Sequence, residues 1–227
     1  MWRQSWHDLL FAHWPVAANS VRHLVPDWLT IDEFGGSTWV GLVPFRMTNV
    51  TLRGVPPPPF FSCFPEMNLR LYVERDGKPG IWFISLDATR LAAVITARTL
   101  AHLPYFHSRM TCEPVEAGDG ISYSSVRRAN DSVKFRATYE PTGPLYRSTS
   151  GGLEHFLTER YCLYTQDSRG TRLRMEIDHQ PWPLQPAVAD IQMNTVADRQ
   201  GIALPETAPL LHFARTIDVV GWSFDRV

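Results

Sequence analysis

The clearest pattern in the chain lies between residues 66 and 88. In EMNLRLYVER, Met67, Leu69, Leu71 and Val73 alternate with Glu66, Asn68, Arg70, Tyr72 and Glu74. A period of two belongs to a β-strand with two unlike faces. DGKPG follows with turn chemistry, and IWFISLDA returns with apolar residues on both faces. The segment 66–88 is therefore predicted to be a long hairpin whose second strand is well covered.

The rest of the chain divides in the same way. WHDLLFAHW and VAANSVRHLVP read as two short helices, with Pro15 placed to open the second and Pro26 to end it. Trp2, Trp6, Leu9 and Leu10 form an apolar stripe, so the first is read as a lid packed on a sheet. Its polar side has too few basic residues for a membrane-surface helix. TWVGLVPF, from Thr38, is a strand. Four consecutive prolines at 56–59 carry no amide donors and are read as a stiff internal crossing. Asp87 is placed to cap a helix, ATRLAAVITARTLAHL, that Pro104 stops. Further strands are predicted at 105–113, 121–128, 132–140, 161–166, 171–179 and 210–220, and further helices in LEHFLTERY and PAVADIQMNTVADRQ. No repeat or linker divides the chain. The expectation is one α+β domain over 1–227, mostly antiparallel sheet curled into a barrel or sandwich, with helices at its ends.

Composition narrows the function classes. With 44% hydrophobic and 20% charged residues, the chain can build a core. A net charge of −1 argues against a nucleic-acid partner. Cys63, Cys112 and Cys162 form no CxxC, which suits reduced thiols in a cytoplasmic protein. No apolar run approaches 18 residues, and MWRQSWHDLLFAHWP lacks the layout of a signal peptide, so no membrane partner is expected. Only two lysines occur, Lys78 and Lys134.

The polar face of 66–74 carries the candidate chemistry. Glu66, Asn68 and Arg70 stand about 6–7 Å apart in sequence along one face. Such a face is either solvated or turned into a cavity, where it offers a carboxylate, an amide and a guanidinium suited to holding a carboxylate. Arg98 lies near the apolar face of its helix, three residues after Ile95, and is expected to be buried and partnered or to contact an anion. Glu159 and Arg160 are read as structural ion pairs. His107 and His179 are candidate acid–base groups or structural histidines. None of the eight histidines stands in HxxxH, HExxH or HxH, so no metal is expected. No GxSxG occurs. EFGGS, SGGLE and the GDG at 118–120 are read as turns.

HWPV, WVGLVPF, PEMNLRLYV, GIWFISLDA, LPY, LTERYCLY and HQPWPLQ, in this order over residues 5–190, resemble the YqjF-like family of domains of unknown function. That family is similar to acetoacetate decarboxylase, and the resemblance implies a closed antiparallel β-barrel or cone around an internal cavity. The decarboxylase forms a Schiff base on a lysine whose pKa a neighbouring lysine lowers. Its motif, Gly-Arg, five residues, then Pro-Lys-Lys, meets Ala97, Arg98, Pro104, Tyr105 and Phe106 here. Arg98 and Pro104 match, and both lysines are replaced. Glu66 matches a cavity glutamate.

Two readings follow. In the first, an enzyme acts on a small carbonyl or carboxylate compound without a cofactor. Glu66 is its acid or base, Tyr105 a proton donor to an enolate, His107 a further acid–base group, and Asn68, Arg70 and Arg98 hold the substrate. In the second, the same cavity binds a small molecule and catalyses nothing. Self-association is compatible with both.

Overall fold

A computed structural model gives the fold and describes residues 1–54, 63–116 and 118–227. The proline run at 56–59 lies outside the described residues. In chain order the elements are β1 (Trp2–Val16), α1 (Ala18–Val21), β2 (Thr30–Ile31), β3 (Thr38–Leu52), β4 (Cys63–Arg75), β5 (Lys78–Ala88), α2 (Leu91–Leu100), β6 (Tyr105–Pro114), β7 (Ile121–Arg127), β8 (Lys134–Pro141), α3 (Leu153–Thr158), β9 (Cys162–Gln166), β10 (Arg172–His179), β11 (Gln185–Asn194) and β12 (Leu210–Arg226).

β12, β1, β3, β4 and β5 are successive antiparallel neighbours and form one wall. Both edges of this wall fork. On β5, Ile81 and Trp82 pair in parallel with Leu163 and Tyr164 of β9, while Leu86–Ala88 pair in parallel with Tyr105–His107 of β6. On β12, the half from Val219 onwards pairs with β10, while His212 and Phe213 pair with β11. Two rings of strands result. One closes through β9 and β10, the other through β6, β7, β8 and β11.

The wall is shared, so each of its faces lies inside a ring. Met67, Leu69, Leu71 and Val73 pack with Tyr123, Phe135, Ala137 and Tyr139 in the second ring, which is filled by side chains. Glu66, Asn68 and Arg70 face the first ring, which holds a cavity. The period-two pattern of β4 therefore separates a dry core from a lined space. Gly80 permits one fork of the wall. A Cβ there would meet the Tyr164 ring at 2.7 Å and the Cys162 sulfur at 2.8 Å, so β9 can approach β5 only over a glycine.

Several predicted elements differ. WHDLLFAHW is part of β1, not a helix. Asp8 has φ 54°, and the alternation breaks there. Trp2, Gln4 and Trp6 face the cavity before the break, Leu9 and Phe11 after it. The resulting step of three from Trp6 to Leu9 imitates a helical stripe. The Asp8 carboxylate fixes the irregularity by accepting from Arg46 at 2.9 Å and Arg215 at 3.1 Å. PAVADIQMNTVADRQ is likewise mostly β11, paired with β8 and alternating in burial, and only its end forms a 3₁₀ turn.

Asp87 does not cap α2, which starts at Leu91 without a side-chain cap. Its carboxylate is buried and accepts two hydrogen bonds from Arg127, at 2.9 and 2.8 Å, and one from Ser108 at 2.6 Å. Arg98 is exposed, not buried. α2 touches the core chiefly through Val94 and leaves Leu91, Ile95 and Leu100 more than half exposed. The helix covers one side of the cavity instead of packing its apolar face on a sheet, so no buried face exists for Arg98 to join. Lys78, at the turn end of β5, is half-buried and donates to Glu176 at 2.6 and 2.7 Å. Among the described residues, no helix is long and apolar enough to cross a membrane.

Candidate functional site

The first ring encloses a cavity of about 490 Å³, a size suited to a small molecule. β1, β3, β4 and β5 form one side, β10 and the Trp182 loop another, and α2 contributes Ala93, Thr96, Ala97 and Leu100. Most of the lining is apolar. Trp6 stacks on Trp182 with ring centroids 5.9 Å apart, and Phe11 meets Trp182 edge-on at 4.8 Å.

Two elements bring Glu66 and Tyr105 together. β4 projects Glu66 inward, and its backbone carbonyl is fixed from the opposite ring by the Tyr123 hydroxyl at 2.7 Å. The chain leaves α2, turns at His102 (φ 52°) and Pro104, and enters β6 beside the end of β5. Tyr105 therefore meets β4 across β5, and its hydroxyl donates to Glu66 Oε2 at 2.9 Å. Glu66 is only 3% exposed. Burial pushes its carboxyl up to about 8, and the nearby Asp87 charge adds to this. The Tyr105 hydrogen bond acts the other way. Glu66 is thus mostly protonated at neutral pH. Burial and the Glu66 charge hold the Tyr105 hydroxyl well above its usual value.

Asn68 is the next residue on this face. It is buried, and its Oδ1 has no hydrogen-bond partner among the described residues. Arg70 follows. Its Nε and Nη2 donate to the Tyr72 hydroxyl at 3.3 and 3.2 Å, and Nη2 also donates to the Leu157 carbonyl at 3.0 Å. The guanidinium carbon sits 5.2 Å from the Phe11 ring centroid. His13 Nε2 lies 2.6 Å from the same Tyr72 hydroxyl. Among the described residues no carboxylate pairs with Arg70, and its Nη1 makes no hydrogen bond.

The other candidates separate. Arg160 lines the cavity but is neutralised by Asp32 at 2.6 Å. Glu159 accepts from the Trp182 amide at 2.9 Å and from the Tyr161 hydroxyl. His179 is on the cavity wall, stacked on Tyr161 at 4.6 Å, with Nδ1 donating to the Gln180 carbonyl at 2.8 Å. Burial lowers its pKa, so it is neutral at pH 7. His107 and Arg98 do not reach the cavity. His107 is half-buried, with Nε2 on the Thr89 carbonyl at 3.1 Å. The structure thus unites Glu66, Asn68, Arg70 and Tyr105 and leaves out His107 and Arg98. The Tyr72–His13 support of Arg70 is a functional feature that the sequence pattern alone does not single out. The signal for Tyr72 was present, since it shares the period-two face of Arg70, but His13 lay in a segment read as helix.

The family model DUF2071, described as an uncharacterized conserved protein, matches residues 3–218. The chain is 46% identical over 220 residues to the uncharacterized protein YqjF of Bacillus subtilis (strain 168), covering 97% of this chain and 90% of that one. Three solved structures share its fold. An acetoacetate decarboxylase-like enzyme from Sphingomonas wittichii RW1 superposes with a TM-score of 0.69 at 11% identity, covering all of this chain and 92% of its own. Acetoacetate decarboxylase from Legionella pneumophila gives 0.68 at 13%, covering all of this chain and 86% of its own. The enduracididine biosynthesis enzyme MppR complexed with pyruvate gives 0.68 at 13%, covering 99% and 89%. At these identities the likeness is one of fold, and the acetoacetate decarboxylase-like architecture expected from the sequence is the one observed.

Proposed function

The chain belongs to the DUF2071 family, and from that premise we propose that it is a lysine-independent enzyme using acid–base chemistry on a small carbonyl or carboxylate compound. The observation that carries this reading is the hydrogen-bonded pair Glu66–Tyr105 on the wall of the apolar cavity. A carboxyl with a pKa of about 8 has both protonation states within reach near neutral pH, as a group that gives and takes protons must. Tyr105 orients it, and when a substrate binds, the single Tyr105 hydroxyl proton turns from Glu66 to the carbonyl oxygen, which gains negative charge as the α-proton passes to the Glu66 carboxylate. Enolisation next to a carbonyl, and the isomerisations, hydrations or dehydrations that pass through it, use these two groups and no amine.

The apolar lining favours a second reading, in which the cavity holds a small molecule without turning it over. Deuterium exchange separates the two. The protein is incubated with pyruvate, 2-oxobutanoate and 4-oxopentanoate in D₂O, and label on the carbon next to the carbonyl is followed by NMR. MppR's pyruvate complex makes the first of these a natural starting compound. Incorporation above the buffer rate, reduced about 10²- to 10⁴-fold in Glu66→Gln and lowered in Tyr105→Phe, supports the enzyme. Binding with no exchange in the wild type leaves the second reading.

A further inference from the structure

The two polar ends of the cavity are far apart. Glu66 and Arg70 lie on one regular strand, since the β3–β4 register runs without a shift from Val40–Leu71 to Thr48–Cys63. Four residues of strand separate their Cα atoms by about 13 Å. The side chains do not close this gap. Glu66 meets Tyr105 where β6 begins, whereas Arg70 leans onwards to Tyr72 and Leu157. Asn68 stands between them beside Leu86, Phe83 of the same neighbouring strand lies next to Arg70, and the side opposite is apolar, with Met175 and Ile177 of β10. A pyruvate-sized oxo acid carries its carboxylate on the reacting carbonyl. With that carbonyl at Glu66, its charge would stand well short of the guanidinium.

Arg70 is also suited to an outside anion. It is buried, so its charge is costly unless it is paired. Among the described residues it has no carboxylate partner, and Nη1 remains undonated. The neighbouring cation on the wall, Arg160, is already neutralised by Asp32.

We propose that the cavity takes an elongated ligand, with a carbonyl at Glu66–Tyr105, an apolar chain across the middle and a carboxylate on Arg70. This rests on the acid–base reading only for the carbonyl end. The separation is on the order of 10 Å, and because an extended chain advances about 3.3–3.6 Å per three bonds, roughly eight bonds span it.

Calorimetric titration of the full chain tests this with pyruvate, 4-oxopentanoate, 6-oxoheptanoate, 8-oxononanoate and 10-oxoundecanoate, and with the methyl ester of the tightest binder. Affinity is expected to peak at 8-oxononanoate or 10-oxoundecanoate. The ester, which keeps the apolar chain and loses the charge, should bind about 10- to 100-fold more weakly, as expected for losing a hydrogen-bonded charge. Arg70→Met should erase this difference between acid and ester, and Arg70→Lys should keep part of it. Since Arg70 also ties down Leu157, Arg70→Met is used only if its circular dichroism is native. The wild-type acid–ester ratio decides the matter without it. Tightest binding of pyruvate, 4-oxopentanoate or 6-oxoheptanoate, or equal binding of acid and ester, overturns the proposal. The outcome is independent of turnover. Long oxo acids that bind in this pattern without deuterium exchange sink the acid–base reading and leave this one standing. Exchange on a pyruvate that binds tightest does the reverse.

Discussion

Glu66 couples the site to the stability of the fold. Its carboxyl has an ordinary value of 4.5 and is raised to about 8 when buried. Between those values the folded state holds a proton that the unfolded chain has released, so stability falls as pH rises through the window and levels off above it. Three buried histidines, His13, His179 and His212, act at the other end. Their folded values are lowered, so the stability they contribute is present above about pH 6.5 and is lost as pH falls. Glu66→Gln replaces a protonated carboxyl with a neutral group of nearly the same shape. Relative to the wild type, its melting temperature should rise progressively from pH 4.5 to 8 and change no further above that. The difference corresponds to a few kcal/mol in total. Parallel melts of the two proteins across pH 4–9 measure it, and coincident pH profiles would show that Glu66 ionises freely. The residues of this site were legible because β4 is regular. Strict alternation from Glu66 to Val73 assigns one face to core and gathers Glu66, Asn68 and Arg70 on the other, while the cavity that this second face lines was implied by the family resemblance and not by the pattern.

At the scale of elements, legibility ended where the alternation was interrupted or where a partner lay far away in the chain. β1 was read as helix because the backbone break at Asp8 gives Trp6, Leu9 and Leu10 a helical spacing. β11 has the composition of an amphipathic helix, and its strand state depends on pairing with β8 about fifty residues earlier. α2 was found, but its role was not, since nothing local says that a helix reading RLAAVITARTL covers a cavity and leaves Ile95 in water. Asp87 shows the same limit. A cap and a buried ion pair look alike in sequence, and they differ in energy. Losing a cap costs about 1 kcal/mol. Removing the carboxylate from the Arg127 pair leaves a guanidinium that is 5% exposed without its counter-charge, which costs about 3–5 kcal/mol. Asp87→Ala is therefore expected to lower the unfolding free energy by the larger amount in denaturant titration. A loss near 1 kcal/mol would return Asp87 to the role of a cap. The pair ties the end of β5 to β6 and β7, where the second ring leaves the shared wall.

At the scale of the molecule, the two rings share one wall, and this decides which chemistry a lysine can perform. A closed sheet was expected, but its division into two rings was not legible, because each fork joins segments distant in the chain, such as β5 with β9 and β12 with β10. Its consequence is plain. An imine needs an unprotonated amine within reach of a bound carbonyl. The motif positions that resemble the decarboxylase lysines hold Tyr105 and Phe106, and Phe106 lies against the Arg127 guanidinium at 3.7 Å, turned to the Asp87 pair. Lys78 begins β5 at its turn end and is held by both carboxylate oxygens of Glu176. Lys134 begins β8 in the second ring, on the far side of the wall from Glu66. Neither contributes to the cavity lining. Incubation with acetoacetate and borohydride should therefore leave the intact mass unchanged, under conditions in which a Schiff-base decarboxylase is trapped stoichiometrically. A stoichiometric adduct mapped to Lys78 or Lys134 would mean that the wall opens to a lysine during binding. Glu66 and Tyr105 would then serve an amine instead of replacing one.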